Sequence, residues 1–239
     1  MSIVVASQND YIKLSQDILY AVKTGEPTDS LEIQLSNLSP DILLSQLSSE
    51  NKRKAFWLNI YNAYTQIGLK DNPDAYKKRN KFFGNKFIQI GGKSLSLDLV
   101  EHGILRRSKW KYSLGHFNKL FKSAYEKKFR LDKVDYRIHF ALNCGAKSCP
   151  PIAFYNPGEL DKQLDLATKI YLKGEVEYNE LINRVEVPAI LSWFRGDFNG
   201  KKGIHKILKE LRLIPENTSP KIVWKKYDWS LALKNYNEE

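Results

Sequence analysis

The sequence predicts an α+β fold: a single domain with a central buried helix, short antiparallel hairpins and several packed helices, plus an N-terminal helical extension. Three observations support this prediction. Apolar residues recur at helical spacing in most segments, one segment is apolar on every face, and two short alternating stretches contain turn signals. With 239 residues, 42 % of them apolar and 27 % charged, the composition excludes wholesale disorder, collagen and coiled coil.

Residues 1–48 are predicted to form the helical extension. Tyr11, Ile18 and Val22 belong to one set of apolar residues at helical spacing, and a second set follows Ser39-Pro40, where proline suits the first turn of a helix. The stretch preceding Tyr11 lacks a basic region and a long apolar region, so we do not expect a secretory signal.

The domain itself, residues 49–212, begins with the strongest helix signal, residues 49–69. Because its apolar residues lie all round the helix, we expect it to be central to the core. Residues 86–96 alternate and turn at Gly91-Gly92, which predicts a hairpin. A helix over residues 97–107, an amphipathic helix over 117–130 and a strand over 136–142 are predicted next.

The remaining elements complete the pattern. We expect a helix over residues 157–171, a second hairpin from 175–178 and 182–187, and short helices beginning at Pro188 and Gly203. The third unit, residues 213–239, contains Trp224, Tyr227 and Trp229, so this tail is predicted to pack on the domain.

Charge and composition restrict the partners. Lys and Arg outnumber Asp and Glu by 38 to 27, a net charge of +11, which favours an anionic substrate. The excess is scattered lysine without zinc-finger, RNP or phosphate-loop spacing, so nucleic acid is not expected as a partner. No apolar run is long enough to span a membrane, and we expect a soluble, cytoplasmic protein without a cofactor. The oligomeric state is left open.

The densest cluster of reactive residues includes His139, Asn143, Cys144 and Cys149, the two cysteines being the only ones in the chain. Four interpretations are open. In the first, one thiol is an activated nucleophile with a histidine partner, and in the second the two thiols form a local disulfide. In the third, both thiols bind zinc together with His139 or His102, and in the fourth both are small buried side chains that shape the loop.

Two further segments are candidates. Glu101 and His102 lie on the helix after the first hairpin, with Arg106 one turn from His102; a histidine there is either a base or a structural residue. Asn59 and Asn62 share one face of an otherwise apolar helix, where buried amides need a cleft or a neighbouring backbone as partner. His116 and His205 are predicted to lie on the surface.

Residues 56–63, 97–106 and 137–151 resemble, in this order, three blocks of the domain-of-unknown-function family numbered 547, and the resemblance extends over roughly residues 50 to 212. It implies no particular reaction. It does single out polar residues that fall inside the blocks: Asn59, Asn62, Glu101, His102, Arg106, His139, Asn143, Cys144 and Cys149. Such a mixture of amide, carboxylate, imidazole and thiol is more typical of a site than of a core.

The working hypothesis is a thiol-dependent hydrolase or acyl transferase acting on a small-molecule or peptide substrate. Cys144 would be the nucleophile, His102 the base and Glu101 the residue that orients it. The substrate-binding set would be Asn59, Asn62, Arg106, His139, Asn143 and Cys149. Both histidines precede the cysteine, the reverse of the papain order, so a protease is not predicted. The alternatives are a non-enzymatic module that binds a peptide or small ligand, and a zinc-stapled structural domain.

Overall fold

A computed structural model describes residues 10–237, so the N-terminal stretch assessed for a secretory signal lies outside the described residues except for Asp10. The α-helices are α1 (Tyr11–Thr24), α2 (Asp29–Ser36), α3 (Pro40–Gln46), α4 (Glu50–Lys70), α5 (Arg79–Gly84), α6 (Ala124–Phe129), α7 (Leu160–Glu175), α8 (Ile190–Trp193) and α9 (Gly200–Glu210). The strands are β1 (Lys86–Ile90), β2 (Lys93–Ser96), β3 (Glu177–Asn179), β4 (Arg184–Val187) and β5 (Lys221–Trp224). Pro73–Lys78 and Tyr136–Phe140 are 3-10 helices, and Leu99–Leu105 is a π-helix.

Helix α4 is the central buried helix that the sequence predicts. Residues 54–66 are buried without interruption, which is the burial expected of a helix that is apolar on all faces. Ser49 caps its first turn by accepting a hydrogen bond from the backbone N–H of Lys52 at 3.2 Å. Helix α1 packs along α4, so the described part of the N-terminal extension shares its core.

The two predicted hairpins are present. Strands β1 and β2 pair antiparallel, and Gly91 and Gly92 between them have φ of 55° and 70°, values that glycine adopts without steric cost. Strands β3 and β4 also pair antiparallel. β5 adds to β4 in parallel, which attaches the C-terminal tail to the domain. The α+β architecture is therefore confirmed. No helix among residues 10–237 is long and apolar enough to cross a membrane.

The strand predicted over residues 136–142 is wrong. The segment begins with the 3-10 helix Tyr136–Phe140, and Asp135 caps it by accepting a hydrogen bond from the backbone N–H of Arg137 at 3.1 Å. Residues 138–142 are all buried, so the alternation of apolar and polar side chains does not separate a core face from a solvent face. His139 is buried although it is polar, because its ring forms a hydrogen bond with the buried carboxylate of Asp197.

The amphipathic helix predicted over residues 117–130 is shorter than expected. Helix α6 begins only at Ala124, because the hydroxyl of Ser123 accepts a hydrogen bond from the backbone N–H of Glu126 and caps it. The preceding residues form an irregular loop in which Phe117, Leu120 and Phe121 are exposed.

The helix predicted over residues 97–107 is instead a π-helix, Leu99–Leu105. Its wide turns are closed by hydrogen bonds from the N–H of Arg106 to the carbonyl of Glu101 and from the N–H of Ser108 to the carbonyl of Gly103, both 2.8 Å. Such turns are rare and frequently lie at functional sites. This one carries Glu101 and His102, two of the predicted site residues.

Candidate functional site

A cleft of about 870 Å³ is formed by side chains from α4, α5, the two 3-10 helices, the π-helix and the loop after it, the loop after Phe140, α8 and the C-terminal tail. Five of the predicted site residues line it: Glu101, His102, His139, Cys144 and Cys149. Its remaining lining includes a group of aromatic side chains, Tyr61, Tyr112, Trp193, Phe194, Tyr227 and Trp229. A concave site in which polar groups converge beside aromatic side chains is the usual form of a small-ligand site.

The two thiols are free and lie together. The Sγ atoms of Cys144 and Cys149 are 2.8 Å apart, and the backbone N–H of Cys144 donates to Cys149 Sγ at 3.1 Å. The Tyr227 hydroxyl is 3.1 Å from Cys149 Sγ and 3.6 Å from Cys144 Sγ. Gly145, with φ of 86°, makes the turn between them. The C-terminal tail therefore completes the surroundings of the thiol pair.

The two thiols differ in acidity. The hydrogen bond with Cys149 lowers the pKa of Cys144, with a further contribution from Tyr227 and the backbone N–H of Ala146. Burial raises the pKa of Cys149 well above its ordinary value, and burial and the two thiols likewise raise the pKa of Tyr227. These opposite directions favour Cys144 as the thiolate of the pair, with Cys149 and Tyr227 placed as its hydrogen-bond donors.

Glu101 presents a carboxyl group to the same cleft. Its Oε2 atom accepts a hydrogen bond from the Tyr61 hydroxyl at 2.9 Å. Burial raises the pKa of Glu101 to about 6, although the charge of Arg106 acts in the opposite direction. A carboxyl group with this pKa exchanges its proton near neutral pH, which is the property that general acid–base catalysis requires.

His102 has a different partner from the one predicted. Its Nδ1 atom is 2.9 Å from Nη1 of Arg106, and because a guanidinium can only donate, Nδ1 is the acceptor. Glu101 Oε1 is 3.5 Å from the same nitrogen. Burial and the charge of Arg106 lower the pKa of His102 well below its ordinary value. His102 is thus a neutral imidazole oriented by Arg106.

A buried charge network lies behind the cleft. Asp197 Oδ2 accepts from Arg106 Nε at 2.6 Å and is 2.8 Å from His139 Nε2, and the side chains of Asp197 and Arg106 are 0 % exposed. The ring of Phe194 stacks on His139 at 4.0 Å and lies 4.4 Å from Arg106 Cζ. Burial lowers the pKa of His139, opposed by Asp197. Arg106 is therefore neutralised in the interior and does not line the cleft.

Asp197 was not among the residues predicted from the sequence. The available signal was its position between Phe194 and Phe198, an acid with aromatic residues on both sides. Its segment approaches the loop containing Gly115 so closely that a Cβ on Gly115 would be 2.7 Å from Asp197 Oδ1. Gly115 has φ of 85°, and the N–H of Gly196 donates to the carbonyl of Leu114 at 2.8 Å. Close backbone packing thus fixes Asp197.

The three predicted asparagines are fully buried and do not line the cleft. Asn59 exchanges two hydrogen bonds with the backbone of Tyr155, at 2.9 and 3.0 Å. Asn62 accepts from the N–H of Asn143 at 2.9 Å and donates to the carbonyl of Ala141 at 3.0 Å. Asn143 in turn donates to the carbonyl of Pro150 and accepts from the N–H of Gly145. All three hold the backbone of residues 141–159, the segment that contains both cysteines and that we call the cysteine loop.

The zinc interpretation finds no support in residues 10–237, which contain no group of three or more His, Cys, Asp or Glu side chains that could hold a metal ion. His116 is exposed, and His205 contacts the carbonyl of Pro220 at 2.9 Å in a half-buried position.

Cations from one short stretch also line the cleft: Lys77, Lys78, Arg79 and Lys81. Lys77 pairs with Asp74, whereas Arg79 lies with its Cζ 4.5 Å from the centre of the Trp229 ring. Trp229 itself stacks on Trp193 at 5.2 Å. The cleft therefore combines positive charge with aromatic surface.

A family model described as "Protein of unknown function, DUF547" matches residues 44–172, which include α4, the π-helix and the cysteine loop. Comparison with curated proteins and with solved structures finds no match.

Proposed function

The chain belongs to the DUF547 family, and we propose that it is a thiol-dependent hydrolase or acyl transferase. One observation carries the proposal: on a cleft of about 870 Å³, the Sγ atom of Cys144 lies 2.8 Å from that of Cys149 and 3.6 Å from the Tyr227 hydroxyl, and these contacts lower the pKa of Cys144. A thiolate that reaches a cleft is the nucleophile that such enzymes use.

In the proposed reaction, the Cys144 thiolate attacks the carbonyl carbon of an ester, thioester or amide. The tetrahedral intermediate collapses, the bond to the leaving group breaks, and the leaving group takes a proton from the Glu101 carboxyl group. Water or a second substrate then attacks the Cys144 acyl thioester while the Glu101 carboxylate takes its proton. Breaking of the carbon–sulfur bond releases the acyl product and restores the Cys144 thiolate.

Glu101, rather than His102, is the proton carrier in this proposal. The pKa of Glu101 is raised by burial to about 6, so both protonation states are accessible near neutral pH. The pKa of His102 is well below its usual value because of burial and Arg106, which makes it a weak base. We assign His102 and His139 to the cleft wall as neutral imidazoles, held by Arg106 and Asp197 respectively.

The substrate class follows from the charges that line the cleft. Arg106 is neutralised by Asp197 and cannot bind a substrate anion without losing a buried partner. Lys78 and Lys81 are exposed, and Arg79 lies against Trp229. We therefore propose an acyl substrate with an anionic group bound by these three cations and an apolar part in contact with the aromatic lining.

Trapping of the acyl intermediate tests the proposal. A panel of carboxylate-bearing thioesters and aryl esters would be incubated with wild type, Cys144→Ala and Cys149→Ala, and the intact mass and the modified peptide would be measured. We expect an acyl adduct on Cys144 in wild type, none in Cys144→Ala, and slower formation in Cys149→Ala because the thiolate loses its donor. An adduct that forms equally in Cys144→Ala contradicts the proposal.

A binding module is the second candidate, favoured by the aromatic cluster of Trp193, Tyr227 and Trp229. It predicts that a panel member binds with unchanged affinity after both thiols are alkylated and that no adduct forms. Calorimetric titration of native and alkylated protein with the same compounds separates the two candidates.

A further inference from the structure

The loop between the π-helix and α6, residues 107–123, has an unusual composition. It contains five cationic residues, four aromatic residues and two leucines, and no acidic residue. We call it the 107–123 loop. A mixture of aromatic, aliphatic and basic side chains is typical of segments that lie at the interface of a membrane, where the rings and the cations meet the headgroups.

Its apolar side chains point into solvent. Leu120 is 89 % exposed and Phe121 91 % exposed, and Trp110, Tyr112 and Phe117 are at least half exposed. This concentration within one loop is far from the scatter of single exposed apolar residues that is normal for a protein surface. The core does not take these side chains, so their exposure requires another explanation.

Hydrogen bonds fix the backbone of residues 108–119 of the loop, although several of its side chains are exposed. The N–H of Trp110 donates to the carbonyl of Phe117 at 2.9 Å, and the N–H of Lys119 donates to the carbonyl of Ser108 at 2.8 Å. The Ser113 hydroxyl is within 3.2 Å of two carbonyls and one N–H of the same loop. Trp110, Tyr112 and Phe117 are therefore presented by a preorganised turn, which lowers the entropy lost on docking, and Leu120 and Phe121 follow directly after it.

The charges of the loop favour an anionic surface. Lys111 and Lys119 pair with Asp98 and Glu126, acids that lie outside the loop. Arg107, Lys109 and Lys122 have no acidic partner among residues 10–237. These cations remain available to the anionic headgroups that surround an inserted apolar side chain.

We propose that the 107–123 loop docks this protein on a bilayer that contains anionic phospholipid, with Leu120 and Phe121 inserted and Arg107, Lys109 and Lys122 at the headgroups. Single-stranded nucleic acid fits less well, because bases stack on aromatic rings and would leave Leu120, the most exposed aliphatic side chain of the loop, without a partner. Docking also places the cleft beside the bilayer, since Lys111, Tyr112 and Leu114 line it.

Vesicle sedimentation tests this proposal and does not depend on any activity of Cys144. The full chain would be mixed with vesicles of phosphatidylcholine alone or with 30 % phosphatidylglycerol. Leu120→Ser/Phe121→Ser removes the inserting side chains. Leu181→Ser/Ile182→Ser is the matched control, because these residues are 96 % and 62 % exposed at the turn between β3 and β4. All four positions are on the surface, and thermal melting verifies that both variants fold.

We expect wild type and the Leu181/Ile182 variant to sediment with the anionic vesicles, and the Leu120/Phe121 variant to bind at least about tenfold more weakly. Lys122→Glu should weaken binding several-fold, since each cation near an anionic surface contributes about a fivefold factor. Absence of vesicle binding, or equal loss in both double variants, overturns the proposal. If vesicles are not bound and a single-stranded oligonucleotide is, the proposal is also overturned. The same holds if vesicles are not bound and the protein forms a dimer that the Leu120/Phe121 change abolishes.

Discussion

Asp197 is the residue whose removal should reveal the buried network most clearly. In Asp197→Ala, Arg106 Nε loses a partner at 2.6 Å and His139 Nε2 loses a partner at 2.8 Å. The guanidinium stays in place with a side chain that is 0 % exposed, so bulk solvent does not screen its charge. The variant therefore contains an uncompensated buried cation.

The expected cost follows from that burial. Breaking a buried ion pair by removing one partner lowers the free energy of unfolding by about 3–5 kcal/mol. A typical domain has a total free energy of unfolding of about 5–15 kcal/mol, so the loss is a large fraction of its stability. Asp132→Ala is the matched control, because Asp132 pairs with Arg53 at 2.8 Å but is 70 % exposed. An exposed pair of this kind contributes about 0–1 kcal/mol.

Urea unfolding followed by circular dichroism and tryptophan fluorescence measures the stability of Asp197→Ala, Asp197→Asn and Asp132→Ala. We expect the midpoint of Asp197→Ala to fall far below that of wild type, Asp197→Asn to lie between them because an amide oxygen still accepts one hydrogen bond, and Asp132→Ala to match wild type. If Asp197→Ala loses no more than Asp132→Ala, the network does not stabilise the wall of the cleft, and the reasoning from burial is refuted.

Three further predictions concern the surroundings of the site. Burial raises the pKa of Glu101 from 4.5 to about 6, so the native state binds more protons than the unfolded state in this window. Wild type should thus lose about 2 kcal/mol of unfolding free energy relative to Glu101→Gln as the pH rises from about 4 to 7, and a constant difference in urea unfolding would contradict the raised pKa. Gly115→Ala should lower the melting temperature well beyond Gly25→Ala, because both glycines have φ near 85° but only at Gly115 would the Cβ meet Asp197. Asn62→Ala should lower the free energy of unfolding by about 2–4 kcal/mol, since it leaves two buried backbone groups unpaired. Asn51→Ala removes only an exposed contact of 3.4 Å and should leave the stability unchanged in the same assay.

Much of the fold could be predicted because the relevant signals are local. The all-round apolar pattern of α4 predicts its central position, and Gly91-Gly92 predicts the first hairpin, since both depend only on neighbouring residues. The strand predicted over 136–142 failed because its alternation reflects a buried polar partner, Asp197, that lies 58 residues from His139 in sequence. The parallel addition of β5 to β4 is equally non-local.

Which residues belong to the site could be predicted better than the role of each residue. Sequence reasoning placed Glu101, His102, His139 and the two cysteines among the candidates, and all five line one cleft. It could not distinguish these residues from buried asparagines of the same motif blocks, because an amide that holds a loop backbone has the same sequence signature as one that binds a substrate. It also could not find Tyr227, whose hydroxyl reaches both thiols from the C-terminal tail.

The central claim is that Cys144 is the activated thiolate of the pair, and alkylation of the native protein across pH 5 to 9 tests it most directly. Each cysteine would be followed by peptide mass spectrometry in wild type, Cys149→Ala and Tyr227→Phe. We predict that Cys144 reacts first with an apparent pKa below about 8.5. The apparent pKa should rise in Cys149→Ala and, to a smaller extent, in Tyr227→Phe. If neither thiol reacts before unfolding, or if the reactivity of Cys144 is unchanged in Cys149→Ala, the account is contradicted.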